Sequence, residues 1–250
     1  MSSLTVVIPC YNEASRGSGD TSFRSRLSLL MNQLSVIEYK VILVDDGSSD
    51  DSAKVFEDFV AENNLYGSWI CLRQEKNMGK GRAVLRGIQS SNTDFILLLD
   101  ADMSVEPYRV VPLIQGIRRN ECYIGTRYAV NSKIANPRTP LRKFISFCCK
   151  TLVNIAFGLG VSDSQCGFKL LPRDYCDKLT DFSVDSWIYD VEILYCLKCQ
   201  GVAIEETAIR WDNMERESTV RAINSIIPSV KAMLVLFGKK PFIKVHCRNK

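Results

Sequence analysis

Leu97-Leu98-Leu99-Asp100-Ala101-Asp102 is the stretch that decides the fold, because an apolar run here ends in two carboxylates. A short, uninterrupted apolar run predicts a buried strand of a parallel sheet. Ligands of open α/β sheets bind outside the carboxyl ends of the strands. Two carboxylates one residue apart can hold a hard divalent ion such as Mg²⁺ or Mn²⁺, although the pattern also suits ordinary turn residues. The stretch therefore predicts Asp100 and Asp102 as metal ligands at a sheet edge.

Two other apolar runs end in the same way. Val41-Ile42-Leu43-Val44 leads into Asp45-Asp46, and Val7-Ile8 leads into Pro9-Cys10-Tyr11-Asn12-Glu13. A carboxylate in such a place can accept hydrogen bonds from a base or a ribose. Because parallel strands end at one edge of a sheet, we expect the three polar groups to meet there. Three coinciding strand ends predict a ligand site more specifically than any one of them.

The alternation of apolar runs and helical patterns predicts an α/β fold with a mostly parallel sheet flanked by helices. The apolar runs predict strands at 4–8, 41–44, 69–72, 95–99, 122–125, 168–171 and 202–211. Helical spacing predicts helices between the early strands, from residue 107, across 144–159, at about 186–198 and across 223–237. We expect one domain at 1–215 and a basic, amphipathic, helical C-terminal appendage at 216–250.

Positive charge is concentrated in two stretches that contain no Asp or Glu, at 122–162 and 218–250, within a net charge of +4. This distribution points to an anionic partner. The second stretch combines an apolar stripe with scattered lysines, which favours a membrane surface over nucleic acid; the alternative is an ordinary packed helix. No apolar run reaches the roughly 20 residues that span a bilayer. The N-terminus does not show a secretory signal.

The ten cysteines lie mostly in apolar runs, which predicts small, buried, reduced side chains in a reducing compartment. Cys196 and Cys199 form a C-x-x-C pair on a predicted helix. The sequence has no second pair nearby, and His246 is its only histidine. A zinc site is therefore not expected.

Seven motifs resemble those of family 2 glycosyltransferases with the GT-A fold, over about residues 4–215. The general family motifs are Val7-Ile8-Pro9-Cys10-Tyr11-Asn12-Glu13, Val44-Asp45-Asp46-Gly47-Ser48 and Asp100-Ala101-Asp102. Those that resemble the polyprenyl-phosphate branch are Asn77-Met78-Gly79-Lys80-Gly81 and Gly125-Thr126-Arg127-Tyr128. Those that look closest to dolichyl-phosphate glucosyltransferases are Asp163-Ser164-Gln165-Cys166-Gly167-Phe168-Lys169 and Trp187-Ile188-Tyr189-Asp190-Val191-Glu192.

Two features depart from these groups. Eukaryotic members of the closest group carry an N-terminal membrane helix, which this sequence does not show. Residue 104 is Ser, where dolichyl-phosphate mannosyltransferases have a Gln that contacts the metal. The second departure argues against a mannosyltransferase and leaves the set of metal ligands less defined.

The resemblance implies a role for each site residue. Asp100 and Asp102 would place Mg²⁺ or Mn²⁺ against the diphosphate of a nucleotide sugar, with Arg127 and Asp190 also catalytic, although Asp190 equally suits orienting an arginine. The residues implied for donor binding are Pro9, Tyr11, Asn12, Glu13, Asp45, Asp46, Gly79 and Lys80. The residues implied for the acceptor phosphate are Arg127, Arg138, Arg142 and Asp163. Lys80 would add positive charge beside the leaving group; its alternative is a solvated loop lysine.

The resemblance and the chemistry together predict an inverting hexosyltransferase that moves glucose from UDP-glucose to a polyprenyl or dolichyl phosphate. A phosphate monoester with a second pKa of about 6 is largely a dianion at neutral pH, so it hardly requires a strong general base. It requires cationic positioning, for which the arginine fork is suited. We expect a peripheral protein on the cytoplasmic face of a membrane, that of the endoplasmic reticulum in a eukaryote, with no nucleic-acid partner.

Three alternatives stay open at this stage. The first keeps the reaction and changes the donor to GDP-mannose. The second is a sugar-nucleotide pyrophosphorylase, which would need a glycine-rich basic loop where the sequence has Pro9-Cys10-Tyr11-Asn12-Glu13. The third is a non-catalytic membrane-binding module, against which the intact D-x-D motif argues. Gly79-Lys80-Gly81 lacks the spacing of a nucleoside-triphosphate-binding loop.

Overall fold

The computed structural model describes the backbone of residues 3–19, 22–135, 140–179, 188–212 and 226–248, with all their side chains except those of 140–146, 212, 226–230 and 248. The strands are β1 (Leu4–Cys10), β2 (Tyr39–Asp45), β3 (Trp69–Arg73), β4 (Phe95–Leu98), β5 (Glu121–Thr126), β6 (Lys133–Ala135), β7 (Lys169–Pro172), β8 (Ala203–Ala208) and β9 (Arg210–Asp212). The helices are α1 (Phe23–Leu34), α2 (Ser52–Glu62), α3 (Lys80–Gln89), α4 (Val110–Gly116), α5 (Pro140–Phe157), α6 (Tyr189–Cys199) and α7 (Ile226–Arg248).

The main sheet has seven strands in the order β3-β2-β1-β4-β7-β5-β8. β1 to β4 run parallel, with Val6 of β1 between Val41 of β2 and Leu97 of β4. β7 is antiparallel to both of its neighbours, and β5 is parallel to β8. The carboxyl ends of β1, β2, β4 and β5 therefore share one edge with the amino end of β7. β6 and β9 pair in parallel as a separate small sheet.

Both faces of the main sheet are buried, which explains why its strands are apolar without alternation. Val7 on one face joins a core with α3, α6 and α7, whereas Val6 and Ile8 on the other join a core with α1 and α2. Gly87 lets α3 pack directly on β1, because a β-carbon there would lie 2.3 Å from Val7 Cγ1. The close packing of α3 matters for function, since its first residue is Lys80.

The predicted α/β architecture is confirmed, and six of the seven predicted strands are observed with small changes at their ends. The single strand expected at 202–211 is wrong. The chain leaves the main sheet after β8, where the Ile209 N–H donates to Ser132 Oγ and the Ile209 carbonyl accepts from Lys133. β9 then pairs with β6, a partner that local sequence does not reveal.

The predicted helices are also observed, with differences at their ends. The helix expected from residue 107 begins as a 3-10 turn at Pro107–Arg109 and continues as α4. α5 ends at Phe157 because Gly158 takes up a φ of 62°. Pro228 falls in the first turn of α7, where a missing N–H costs no helical hydrogen bond.

Helix α7 is one continuous helix within the predicted C-terminal appendage. Ala232, Leu236 and Ile243 are buried in the same core as α6, whereas Phe237 and Phe242 stay exposed. The boundary expected between 215 and 216 lies outside the described residues, so the division into two parts stays a prediction. Among the helices described, none combines the length and apolar character needed to cross a membrane.

The cysteines require one correction. Cys196 on α6 and Cys247 on α7 form a disulfide with their Cα atoms 5.7 Å apart, so the expectation of reduced thiols is wrong for this pair. The other eight cysteines are free. Sequence spacing could not identify the pair, because the two residues are 51 positions apart and meet only through the packing of α7 on α6.

Candidate active site

The D-x-D turn directly after β4 is shaped by its own main chain. Met103 takes up a left-handed φ of 47°, and its N–H donates to the Asp100 carbonyl at 2.9 Å. Asp102 Oδ1 accepts the Ser104 N–H at 2.9 Å. A β-carbon at Gly167 would lie 2.3 Å from Asp100 Oδ2, so only glycine lets the carboxylate pack against this main chain. The turn holds both partly buried carboxylates at the sheet edge.

A cluster of alternating charges lies beside Asp100. The Lys80 ammonium, at the start of α3, is 2.6 Å from Asp100 Oδ1 and also hydrogen-bonds the Tyr189 hydroxyl. In the first turn of α6, Asp190 Oδ1 lies 2.6 Å from the ammonium of Lys169, whose side chain is almost completely buried. The structure thus brings together three predicted site residues from three separate motifs, namely Lys80, Asp100 and Asp190.

Lys169 is a member of this cluster to which sequence reasoning assigned no role. It is the first residue of β7, and its ammonium also donates to the Cys166 carbonyl at 2.5 Å. The available signal was its position, because Lys169 is the one charged residue in the apolar run 166–172. A lysine in a buried strand needs a carboxylate partner, and Asp190 is that partner.

The two carboxyls of the cluster are shifted in opposite directions. Burial on its own would raise the pKa of Asp100, but the ammonium of Lys80 lowers it below the usual value, with help from Lys169 and Arg127. Burial raises the pKa of Asp190, and the ammonium groups of Lys169 and Lys80 offset this only in part. Asp100 is therefore a carboxylate whose charge is balanced by Lys80, whereas burial opposes the charge of Asp190 in its pair with Lys169.

On the other side of the edge, Arg127 is held in a fixed orientation. Its Nε and Nη2 each lie 2.6 Å from an oxygen of Asp163, and its main-chain N–H donates to the same carboxylate at 3.1 Å. The guanidinium lies over the ring of Trp211, 5.6 Å from the centroid. Asp163 thus orients Arg127, and the implied roles of both in phosphate binding stay predictions. Sequence reasoning found Arg127 and Asp163 but gave Trp211 no role at the site.

Glu13, after β1, is joined to the D-x-D turn by a buried arginine. Glu13 Oε2 accepts from Arg26 Nη1 at 2.8 Å, and the same nitrogen donates to the Ala101 carbonyl at 2.9 Å. Arg16 takes the other oxygen of Glu13 at 2.8 Å. Burial raises the pKa of Glu13, Arg26 and Arg16 oppose the shift, and the charge of Asp102 adds to it. Arg26, on α1, is a second residue that sequence reasoning missed.

Asp45 and Asp46 are both buried, and both already accept hydrogen bonds from the protein. Asp46 accepts from Gln74 Nε2 at 2.6 Å and from the N–H groups of Met78 and Gly79 at 2.8 and 2.9 Å. Asp45 Oδ1 accepts the Ser48 N–H at 3.1 Å. These contacts shape the loops around the edge. Direct contact of either carboxylate with a nucleoside stays a prediction.

The remaining donor residues line the same loops. Asn12, with a φ of 53°, accepts the Ser49 N–H at 2.8 Å and so joins the loops after β1 and β2. Tyr11 is 39% exposed, Pro9 is partly buried, and Gly79 precedes α3 with a φ of 92°. Of the acceptor arginines, Arg138 lies outside the described residues, as does the side chain of Arg142.

The donor set suits a hard divalent cation. Among the described residues, no three or more His, Cys, Asp or Glu side chains are grouped as a complete metal cage. The turn offers the carboxylates of Asp100 and Asp102 alone. Mg²⁺ and Mn²⁺ are commonly bound in this way, through one or two carboxylates with phosphate and water oxygens completing the shell.

A mostly parallel sheet, acids at three strand ends and cations near them define an α/β protein whose carboxyl edge has the form of a ligand site. A family model described as "Glycosyl transferase family 2" matches residues 5–180, and the chain belongs to that family. The family resemblance of the motifs is thereby confirmed.

Two relatives of known name and one solved structure are similar to this chain. The chain is 31% identical over 223 residues to a dolichyl-phosphate beta-glucosyltransferase of Dictyostelium discoideum, covering 85% of this chain and 67% of that protein. It is also 31% identical over 238 residues to a dolichyl-phosphate beta-glucosyltransferase of Mus musculus, covering 87% and 69%. The Mycobacterium tuberculosis glucosyl-3-phosphoglycerate synthase solved with Mn²⁺, UDP-glucose and glycerol 3-phosphate has a TM-score of 0.62 at 14% identity, covering 96% and 80%. The last comparison shows a shared fold.

Proposed function

We propose that the protein is an inverting hexosyltransferase that moves glucose from UDP-glucose to a polyprenyl phosphate such as dolichyl phosphate. Family membership and the named beta-glucosyltransferase relatives support this reaction class. The single observation that carries the proposal is the meeting of two half-sites. Asp100 with Lys80 forms one, Arg127 with Asp163 forms the other, and the charge of Arg127 contributes to lowering the pKa of Asp100.

The donor would lie along the ends of β1, β2 and β4. Asp100 and Asp102 would hold Mg²⁺ or Mn²⁺, which when bound stabilises the charge on the departing diphosphate as a Lewis acid. Lys80 adds a second positive charge beside Asp100. The partly exposed ring of Tyr11 offers a face for the base, and Asn12 holds that loop against the one after β2.

The acceptor phosphate would lie against Arg127, whose fork is aligned in advance by Asp163 and Trp211. A phosphate oxygen forms a bond to the anomeric carbon, while the bond from that carbon to the diphosphate oxygen breaks and UDP leaves with its electron pair. Attack from the face opposite the leaving group inverts the anomeric centre. No strong base is required, which agrees with Asp190 being paired with Lys169 instead of standing open as a base.

A membrane surface would present the lipid acceptor. α5 and α7 expose large apolar side chains beside lysines. The exposed apolar residues are Phe147, Leu152, Ile155, Leu234, Val235, Phe237, Phe242 and Val245. The lysines on these two helices that have described side chains are Lys150, Lys231, Lys239, Lys240 and Lys244. Apolar side chains with neighbouring cations suit the headgroup region of an anionic leaflet, so we place the protein peripherally on the cytoplasmic face, at the endoplasmic reticulum in a eukaryote.

The direct test is product formation. Purified protein is mixed with radiolabelled UDP-glucose, dolichyl phosphate and Mn²⁺, and lipid-extractable label is measured. We expect labelled lipid from the wild type and a loss of at least about 100-fold in Asp102→Ala. Asp58→Ala, on the exposed face of α2, is the matched control and should retain activity. Absence of labelled lipid with the wild type and any common nucleotide sugar would refute the proposal.

The donor is tested separately by thermal stability. UDP, GDP and their glucose and mannose derivatives are added with and without Mn²⁺, because a ligand that binds the native state raises the midpoint of unfolding. The proposal expects the largest shift with UDP-glucose and Mn²⁺. A larger shift with GDP-mannose would keep the reaction class and replace the donor.

A further inference from the structure

Lys80 is brought to Asp100 by the surrounding fold. Asp46 accepts the N–H groups of Met78 and Gly79, which fixes the loop from which α3 begins. A β-carbon at Gly81 would lie 3.3 Å from the Tyr189 side chain, so α3 starts close against α6. The 2.6 Å ion pair between Lys80 and Asp100 is therefore a feature of the scaffold.

Asp100 has little freedom to take a second cation while Lys80 is there. Its Oδ2 packs against Gly167, and its Oδ1 already contacts the ammonium. A divalent cation at the same carboxylate would meet the repulsion of that ammonium at short range. Of the two partners, Lys80 is the one that can move, because it has four rotatable side-chain bonds and is 33% exposed.

Lys80 also has other partners in reach when it leaves Asp100. It hydrogen-bonds the Tyr189 hydroxyl and lies near enough to Asp190 for each to shift the pKa of the other. Asp190 is held in place by Lys169. The ammonium therefore keeps an anionic neighbour when its contact with Asp100 is broken.

We propose that Lys80 is an exchangeable counter-ion of the D-x-D motif. It neutralises Asp100 while the donor is absent, and it turns toward the donor diphosphate when Asp100 takes up the divalent cation. The inference rests on the proposed donor site and adds cooperativity to it. Metal and nucleotide should bind better together than either does alone. Lys80 competes with the metal for Asp100 and cooperates with it at the diphosphate.

The test measures metal binding without nucleotide. Mn²⁺ alone is titrated into the protein, and the free ion is followed by electron paramagnetic resonance. Lys80→Met should bind Mn²⁺ roughly fivefold more tightly than the wild type, the effect expected of one partly exposed ion pair. Lys80→Arg keeps the charge and should stay near the wild type. Lys76→Met removes an exposed lysine from the same loop and is the matched control.

Nucleotide binding should change in the opposite direction. With Mn²⁺ at a concentration that saturates both proteins, UDP should bind at least about fivefold more weakly to Lys80→Met than to the wild type, because no ammonium is released from Asp100 toward the diphosphate. Tighter Mn²⁺ binding together with weaker UDP binding supports the exchange. Mn²⁺ affinity that is unchanged or reduced in Lys80→Met would overturn it, as would the same gain in Lys76→Met. Circular dichroism and the midpoint of unfolding show whether the variants are folded.

The two proposals fail in distinguishable ways. If the wild type forms labelled lipid while Lys80→Met shows no gain in Mn²⁺ affinity, the transferase assignment stands and the exchange is wrong. If the expected opposite shifts are seen but no nucleotide sugar yields labelled lipid, the exchange stands as a property of the binding site and the acceptor assignment is wrong.

Discussion

The predicted site has a donor half at the ends of β1, β2 and β4 and an acceptor half around Arg127. The two halves hold their charged side chains by different means. In the donor half, Asp46 and Glu13 are each held by several hydrogen bonds from the main chain or from arginines. In the acceptor half, Arg127 depends on one carboxylate and one aromatic ring. The donor half lies at the ends of adjacent parallel strands that the sheet fixes, whereas the orientation of the acceptor arginine depends on two side chains.

This difference indicates where substitutions should be felt. Charges built on adjacent parallel strands share the stability of the sheet, so they position a ligand precisely while resisting local change. Arg127 can be exchanged for a lysine with little effect on the fold, because Asp163 then keeps a positive partner. Lys169 and Asp190 form a buried ion pair near Asp100 and Lys80, and we expect this pair to contribute more to stability than to substrate binding.

Removal of Lys169 should have the largest effect, because it leaves Asp190 buried without its cation. Lys169→Met should lower the free energy of unfolding by about 3–5 kcal/mol at about pH 7. Burial already raises the pKa of Asp190, and loss of Lys169 raises it further. A carboxyl whose folded-state pKa is raised destabilises the fold as pH rises above its unfolded-state pKa, so the deficit should shrink toward about pH 4. Urea unfolding of the wild type and the variant at about pH 7 and about pH 4 measures the difference in the free energy of unfolding.

The control for Lys169 removes both charges. Lys169→Met combined with Asp190→Asn removes both charges of this buried pair, so much of the lost stability should return. An equal deficit at both pH values would show that packing, and not the orphaned carboxyl, accounts for the effect.

Arg127→Lys should break the acceptor half and leave the donor half intact. A lysine cannot reproduce the planar fork that Asp163 and Trp211 align, so kcat/KM for polyprenyl phosphate should fall about 100-fold. The KM for UDP-glucose should stay within about twofold. Steady-state kinetics with each substrate varied in turn makes the distinction. Arg119→Lys, near Asp94 at the opposite edge of the sheet, is the control. Equal losses for both substrates would mean that the halves are not separate.

Gly167→Ala should disturb the donor half through the Asp100 carboxylate. The new methyl group would meet Asp100 Oδ2 and displace it, so kcat/KM for UDP-glucose should fall about tenfold. Gly116→Ala is the control, since a β-carbon there meets nothing within 4 Å. Kinetics at varied Mn²⁺ should show that Gly167→Ala needs a higher Mn²⁺ concentration than the wild type to reach half of its maximal rate. Unchanged kinetics would mean that Asp100 does not need its observed position.

The smallest expected effect concerns the membrane surface. Phe242→Ser on α7 should weaken binding to anionic vesicles about five- to tenfold, because an exposed aromatic side chain no longer enters the headgroup region. Val36→Ser is the control, because Val36 is 73% exposed but lies outside α5 and α7. Co-sedimentation with the vesicles measures both. Equal losses in the two variants would argue against a specific membrane face.

Much of the donor half could be predicted from sequence because its information is local. An apolar run followed by Asp100 and Asp102 places those residues at a strand end whatever the rest of the chain does, and a parallel sheet brings such ends together. The partners that hold these residues could not be predicted in the same way. Arg26 reaches Glu13 and the Ala101 carbonyl from α1, and no spacing in the sequence signals that contact.

The sequence by itself determined the α/β class, the edge of the sheet that carries the predicted site, and the acids at the strand ends, because each follows from the period and the ending of a short apolar run. The basic residues Lys80 and Arg127 were indicated only by the family resemblance. Tertiary structure alone decided that Lys80 meets Asp100, that Trp211 lies over Arg127, and that Cys196 joins Cys247. Those contacts join residues distant in the chain, and they depend on helix packing and on the separation of β8 from β9. Side-chain partners at such distances are set by the packed interior, which short sequence patterns do not specify.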